Sequence, residues 1–121
     1  MSKKIFIMVT AGPDNAERAT IPFAMATAAQ ASDAEVTVGL QADGVFLATK
    51  AGADGVAASH FPPLADLVEA YLEAGGRFLV CGPCVQSRRI DPKADLVEGA
   101  TVVGGVTFID EAISAHAVFT Y

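Results

Sequence analysis

Short runs of β-forming residues alternate with helical segments along the whole chain, and this alternation limits the fold more than any other feature. Residues 4–10, Lys-Ile-Phe-Ile-Met-Val-Thr, are almost continuously apolar. A strand buried on both faces has that pattern, whereas a strand with one wet face alternates. Further strands are predicted over residues 35–41, 77–80, 100–103 and 116–120. Helices are predicted between them, over residues 16–31, 45–50, 64–72, 85–89 and 106–114. In the third of these, Leu64, Leu67, Val68, Tyr71 and Leu72 recur at helical spacing. Pro62-Pro63 opens that helix and Gly75-Gly76 closes it. Asp14 or Asn15 is placed to cap the first helix. Pro22 lies inside it and predicts a kink or a later start, because proline lacks the N–H and crowds the preceding turn. Residues 51–59 are small and glycine-containing and carry no clear period. Strands joined by short βα connections form a parallel sheet with helices on both faces.

At 121 residues the chain corresponds to one domain, residues 1–121, large enough to bury a core without disulfides. A hydrophobic fraction of 52% against 18% charged residues excludes disorder. No apolar run reaches the roughly 20 residues that span a bilayer. The net charge of −6 opposes nucleic acid and anionic lipid alike. Arg88-Arg89 is too short for a polybasic patch. Lys3-Lys4 before an apolar run resembles the start of a signal peptide. That run is short, and Gly12-Pro13-Asp14 breaks it without a small-x-small cleavage site. The expectation is therefore a first strand in a cytoplasmic protein. The surplus of apolar residues suggests a covered subunit surface, with Phe61 and Tyr71 extending an exposed patch.

Ligands of open parallel sheets bind beyond the carboxyl ends of the strands. Here those ends are Thr10-Ala11-Gly12, the segment from Gln41 to Gly44, Cys81-Gly82-Pro83-Cys84 and Gly104-Gly105. Both cysteines of the chain fall in the third of these. Gly82 permits a tight turn and Pro83 suits the first helical position, which puts Cys84 in the first turn of a helix. Free N–H groups there, and Arg88 four residues on, favour a thiolate. Packing as small hydrophobes is the other role open to such cysteines.

Three chemistries suit the pair. Disulfide exchange is one, since Cys-Gly-Pro-Cys is the thioredoxin tetrapeptide. The thioredoxin fold is excluded, because the chain has no tryptophan and its motif follows the third strand. Pro92 is also the only proline downstream. Zinc is the second chemistry. A structural site needs about four ligands, and only His60 and His116 are available, at spacings that match no zinc-finger pattern; no metal is expected. Sulfur transfer through a cysteine persulfide is the third.

The order of these pieces resembles the DsrE/DsrF-like family, which includes the sulfur-relay subunits of the DsrEFH and Tus type. The resemblance spans nearly the whole chain. It rests on the first strand with its Thr10-Ala11-Gly12 turn, the alanine-rich helix, the second strand with Asp43-Gly44-Val45, and the helix ending at Gly75-Gly76. Leu79-Val80-Cys81-Gly82-x-Cys84 with Arg88 beyond is its most specific part, and Gly104-Gly105 before the last helix completes it. The resemblance implies an α/β fold, a three-layer α/β/α sandwich around a five-stranded, mostly parallel sheet. It implies a homo-oligomer, a trimer or hexamer, that meets sulfur-donor and sulfur-acceptor proteins. By position it places the persulfide on Cys81. Cys84 marks a Cys-Gly-x-Cys subgroup, in which it would support or resolve that sulfur.

Around the pair, Gly12, Asp43, His60, Gly82 and Arg88 are candidate supporting residues. Asp43 could orient a ligand or pair with Arg88, and a turn aspartate before glycine also stands without such a role. His60 could be a general acid, a thiolate partner or a plain loop residue. The Thr10-Ala11-Gly12 turn could offer N–H groups to an anion. No G-x-G-x-x-G, Walker or G-x-S-x-G motif is present, so no cofactor is implied. Two other functions stay open beside the sulfur carrier. One is a non-catalytic oligomeric binding module with structural cysteines, and the other is a dithiol redox switch.

Overall fold

A computed structural model describes residues 2–121. Five strands, β1 (Lys4–Val9), β2 (Glu35–Leu40), β3 (Arg77–Cys81), β4 (Ala100–Val103) and β5 (Ala117–Thr120), form one sheet in the order β4-β3-β2-β1-β5. Every neighbouring pair is parallel. The helices are α1 (Ala16–Ala31), α2 (Leu64–Glu73), α3 (Gly82–Ser87) and α4 (Gly105–Ser114), with a 3-10 helix over Ala42–Ala48. The three-layer α/β/α architecture follows, with a sheet that is wholly parallel.

Crossover handedness explains the layering. From β1 to β4 the chain steps across the sheet in one direction, so right-handed crossovers keep α1, α2 and α3 on one face. From β4 to β5 it returns to the opposite edge, so the same handedness sends α4 to the other face. The side chains divide accordingly. Ile7, Val9, Val38, Leu40, Phe78 and Val80 pack with Phe23 of α1 and Val68 and Tyr71 of α2. Phe6 and Leu79 pack with Phe108 of α4. Phe23, Tyr71 and Phe78 form a ring cluster with centroids 5.5 to 5.8 Å apart.

Several expectations need correction. Helix α1 starts at Ala16 and continues through Pro22, which is buried, so the later start is not seen. The short helix after β2 begins at Ala42 rather than Val45 and is 3-10 in type. Helix α3 begins at Gly82, directly after β3, and ends at Ser87. Tyr71 lies on no exposed patch, because it is wholly buried. Its hydroxyl accepts from the N–H groups of Val38 and Arg77 and lies 2.5 Å from the Arg77 carbonyl, pinning β2 to β3. A phenol with those partners is cheaper to bury than to expose. Phe61 is half-buried. The most exposed large apolar side chains are instead on α4, where Val106 and Ile113 are 77% and 78% exposed, with Ile109 between them.

Candidate functional site

Strand β3 exits toward α3 on one face of the sheet, whereas β4 exits toward α4 on the other. Open α/β sheets bind ligands at such switch points, beyond the carboxyl ends of strands that part in this way. Cys81 is the last residue of β3 and pairs with Val103, the last residue of β4. The cysteine motif therefore lies at this switch point. Cys81 touches both apolar clusters, while Cys84 packs toward the α1–α2 side. Both are free thiols and both are half-buried.

Cys81 is the residue before α3 and Cys84 lies in its first turn, with Pro83 near the helix start. The three-residue spacing sets the two sulfurs on one side of the turn. They lie 2.7 Å apart and share a hydrogen bond, outside the 2.03–2.05 Å of a disulfide. The Ala42 N–H donates to Cys84 Sγ at 3.3 Å. Ala42 reaches that position with a φ of 51°, in the left-handed region. A non-glycine residue there costs roughly 1–2 kcal/mol, and such strain tends to gather at functional sites. Helix α3 has only six residues, so the fixed N–H of Ala42 supplies more of the local positive potential than a macrodipole does.

Arg88 closes the site from the far end of α3. Its Nε donates to Asp43 Oδ1 at 2.9 Å, and its Nη1 donates to the Cys84 carbonyl at 3.3 Å and to Ser87 Oγ at 3.1 Å. The ion pair is partly solvated, with Arg88 26% and Asp43 53% exposed, so it positions more than it stabilises. Gly12 is buried against Asp43. A Cβ there would come within 2.7 Å of the Asp43 carbonyl oxygen, so only glycine lets the first loop approach this closely. Gly82 sits beside Val103, and a Cβ there would meet the Val103 carbonyl oxygen at 3.4 Å, an ordinary contact.

Burial pushes the Cys81 thiol up from its ordinary value. Its hydrogen bond with Cys84 and the charge of Cys84 push the same way, while the Cys84 backbone and the Arg88 charge pull it down. Desolvation wins, so the thiolate form of Cys81 is disfavoured.

Of the residues singled out in the sequence, Cys81, Gly82, Cys84, Asp43, Arg88 and, through Asp43, Gly12 come together. His60 does not join them by any hydrogen bond or ion pair among the described residues. It is exposed, in a turn before α2, with a φ of 68°. His116 is structural: its Nδ1 accepts from the Lys4 N–H at 2.9 Å, and its own N–H donates to the Lys4 carbonyl. The Thr10 N–H is taken by the Tyr121 carbonyl and is not available to an anion. Among the described residues no group of three or more His, Cys, Asp or Glu side chains is placed to hold a metal ion. No helix there is long and apolar enough to cross a membrane. Sequence reasoning missed Ala42 as a donor. Nothing in the letters Gln41-Ala42-Asp43 signals a left-handed alanine.

Comparison with known proteins bears on this arrangement. The sequence profile of the DsrE/DsrF-like family matches residues 3–121. The chain belongs to that family. Its sequence is 37% identical over 107 residues to the uncharacterized protein MJ0760 of Methanocaldococcus jannaschii, covering 88% of this chain but only 38% of that protein. It is 31% identical over 111 residues to the uncharacterized protein MK0008 of Methanopyrus kandleri, covering 89% of this chain and 88% of the relative. The ychN protein of E. coli shares the fold over the full length of both chains, with a TM-score of 0.79 at 20% identity. A protein of unknown function from Methanobacterium thermoautotrophicum, MTH1491, does so with a TM-score of 0.72 at 19% identity. At those identities the likeness extends to the fold alone.

Proposed function

We propose that this DsrE/DsrF-like chain is a thiol-active sulfur carrier working through the Cys81–Cys84 pair. The observation that carries the reading is the juxtaposition at the carboxyl ends of β3 and β4: two half-buried thiols 2.7 Å apart, one of them met by a backbone N–H. Resemblance puts the sulfur on Cys81, but the geometry favours Cys84 for the first attack. Cys84, as a thiolate, attacks the outer sulfur of a persulfide R–S–SH. The S–S bond of the donor breaks, Cys84–S–SH forms, and R–S⁻ leaves. Cys81 then attacks the inner sulfur, Cys84 Sγ. The sulfane sulfur leaves as HS⁻ and takes the Cys81 proton to become hydrogen sulfide, and the two cysteines are left as a disulfide that a thiol reductant reopens. Asp43 and Arg88 hold the end of α3 while this happens. A cytoplasmic location belongs to this proposal, because a reducing compartment keeps the pair as thiols.

Intact-mass measurement after exposure to a persulfide donor tests it. A gain of about 32 Da that a reductant reverses is expected, transient in the wild type, which proceeds to the disulfide, and lasting in Cys81→Ser. Cys84→Ser should abolish the gain, and Cys81→Ser should keep it but block disulfide closure. The short sulfur–sulfur distance supports a second reading, a dithiol switch without sulfur transfer. A loss of about 2 Da that needs both cysteines, with no gain from any donor, would select it.

Homo-oligomerisation is part of the same proposal. Val106, Ile109 and Ile113 recur at helical spacing on the outer face of α4, and an apolar stripe of this kind suits a second copy of the chain. Light scattering of Ile109→Lys should report a smaller species than the wild type. An unchanged mass would remove α4 as the contact.

A further inference from the structure

Beyond the cysteines, at the other end of α3, lies a cavity of about 380 Å3 that the chemistry above does not use. Its walls include Lys50, Arg88, Arg89, Asp95, Phe46 and Ile90. The chain has only eight lysines and arginines against fourteen acids, so three cations at one cavity depart sharply from the acidic background. Asp43 occupies one edge of Arg88. Asp95 Oδ2 accepts from the Asp91 N–H at 2.7 Å. Lys50 and Arg89 enter no ion pair among the described residues. One net positive charge therefore remains, with unused donors on three side chains.

The walls are built rather than accidental. The 3-10 helix and its exit are tied to the segment after α3. The Lys50 N–H donates to the Asp95 carbonyl at 2.8 Å, the Val97 N–H to the Ala48 carbonyl at 2.8 Å, and Thr49 bridges Leu96. Arg89, just past the Arg88 cap of α3, has a φ of 55°, a conformation that glycine would adopt without strain. Phe46 and Ile90 make part of the wall apolar. Arg88 belongs to both places, lining this cavity and touching the Cys84 carbonyl. Four helical residues separate Cys84 from Arg88, roughly 6 Å along the axis.

We propose that this cavity holds the carboxylate end of a low-molecular-weight thiol carrier, with the sulfur of the carrier directed at Cys84. The proposal rests on the sulfur-carrier reading and names the class of donor: a persulfide R–S–SH whose R group is short and carries a carboxylate. Lys50 and Arg89 bind the charge, and Phe46 and Ile90 accept the aliphatic part.

Two measurements test it. First, sulfur uptake is timed with glutathione persulfide, whose R group carries carboxylates, and with 2-mercaptoethanol persulfide, whose R group is neutral. The rate ratio should favour the anionic donor by about two- to thirtyfold, the range that two partly solvated ion contacts give. It should fall toward one in Lys50→Ala/Arg89→Ala and recover in Lys50→Arg/Arg89→Lys. A ratio that the alanine variant leaves unchanged overturns the proposal. Second, the Cys81→Ser/Cys84→Ser chain, which cannot transfer sulfur, is titrated with reduced glutathione by NMR. Saturable shifts at Lys50, Phe46 and Arg89 support the cavity even if no persulfide ever forms, which separates its fate from that of the carrier reading. Absence of saturable shifts there overturns it.

Discussion

Replacing Tyr71 with phenylalanine isolates one polar contact at the centre of the core. The ring stays wholly buried among Phe23 and Phe78, so no cavity forms and the apolar burial is kept. The hydroxyl is lost, and with it the acceptor for the N–H groups of Val38 and Arg77. Val38 is fully buried, so its N–H finds no water and costs about 1–3 kcal/mol. Arg77 lies at an exposed strand start, so its N–H loses about 0.5–1.5 kcal/mol, the net worth of one bond. Together Tyr71→Phe should destabilise by about 2–4 kcal/mol. An unfolding entropy of about 2.1 cal/mol/K per residue turns that into a fall in Tm of about 8–16 °C. Urea denaturation followed by circular dichroism gives the free energy, and calorimetry gives Tm. The contact lies at the start of β3, while Cys81 lies at its end. Thiol alkylation rates of the folded protein should therefore match wild type. A loss below about 0.5 kcal/mol, within the usual range for surface changes, would refute the accounting of the buried hydroxyl.

Further outcomes follow from the site. Ala42→Gly keeps the N–H that meets Cys84 and relieves the left-handed strain, so stability should rise by about 0.5–1 kcal/mol with no change in alkylation rate; destabilisation would contradict the strain. Asp43→Asn removes a partly solvated pair and should cost no more than about 1 kcal/mol. Comparison of thermal melts at low and high salt checks this, since the cost should shrink with salt. Folding raises the proton affinity of Cys81 above that of the unfolded thiol. The stability from that difference is complete below the unfolded thiol range, near pH 8.5, and is lost as pH rises through the folded value. Burial shifts Tyr71 upward too, which adds a loss of the same sign only above about pH 10. Urea midpoints should therefore decline above about pH 8.5 in wild type. Cys81→Ala should flatten the first part of the decline, and parallel curves would show that Cys81 plays no part.

Much of the architecture was legible in the amino-acid sequence because strand and helix periods are local. The apolar run at residues 4–10, the spacing of Leu64, Val68 and Tyr71, and the glycine pair after α2 each report their own element without reference to the rest of the chain. Crossover handedness then turns alternation into a parallel sheet. The cysteine pair was legible for the same reason, since four adjacent residues carry strand end, turn and helix start together. The ion pair of Arg88 with Asp43 was visible as one of two roles for Asp43, because both follow strand ends. Tertiary structure decided the rest. The strand order, and with it the switch point between β3 and β4, depends on α4 crossing the opposite face. Tyr71 reads as surface or core from its spacing alone, and only the polar partners on β2 and β3 bring it inside. The donor to Cys84 comes from 42 residues away through a strained backbone angle that no side chain announces. The cavity beyond Arg88 joins Lys50 to Arg89 across a gap that no local pattern bridges. Short-range order is written residue by residue, whereas contacts between distant segments exist only once the sheet has set their distances.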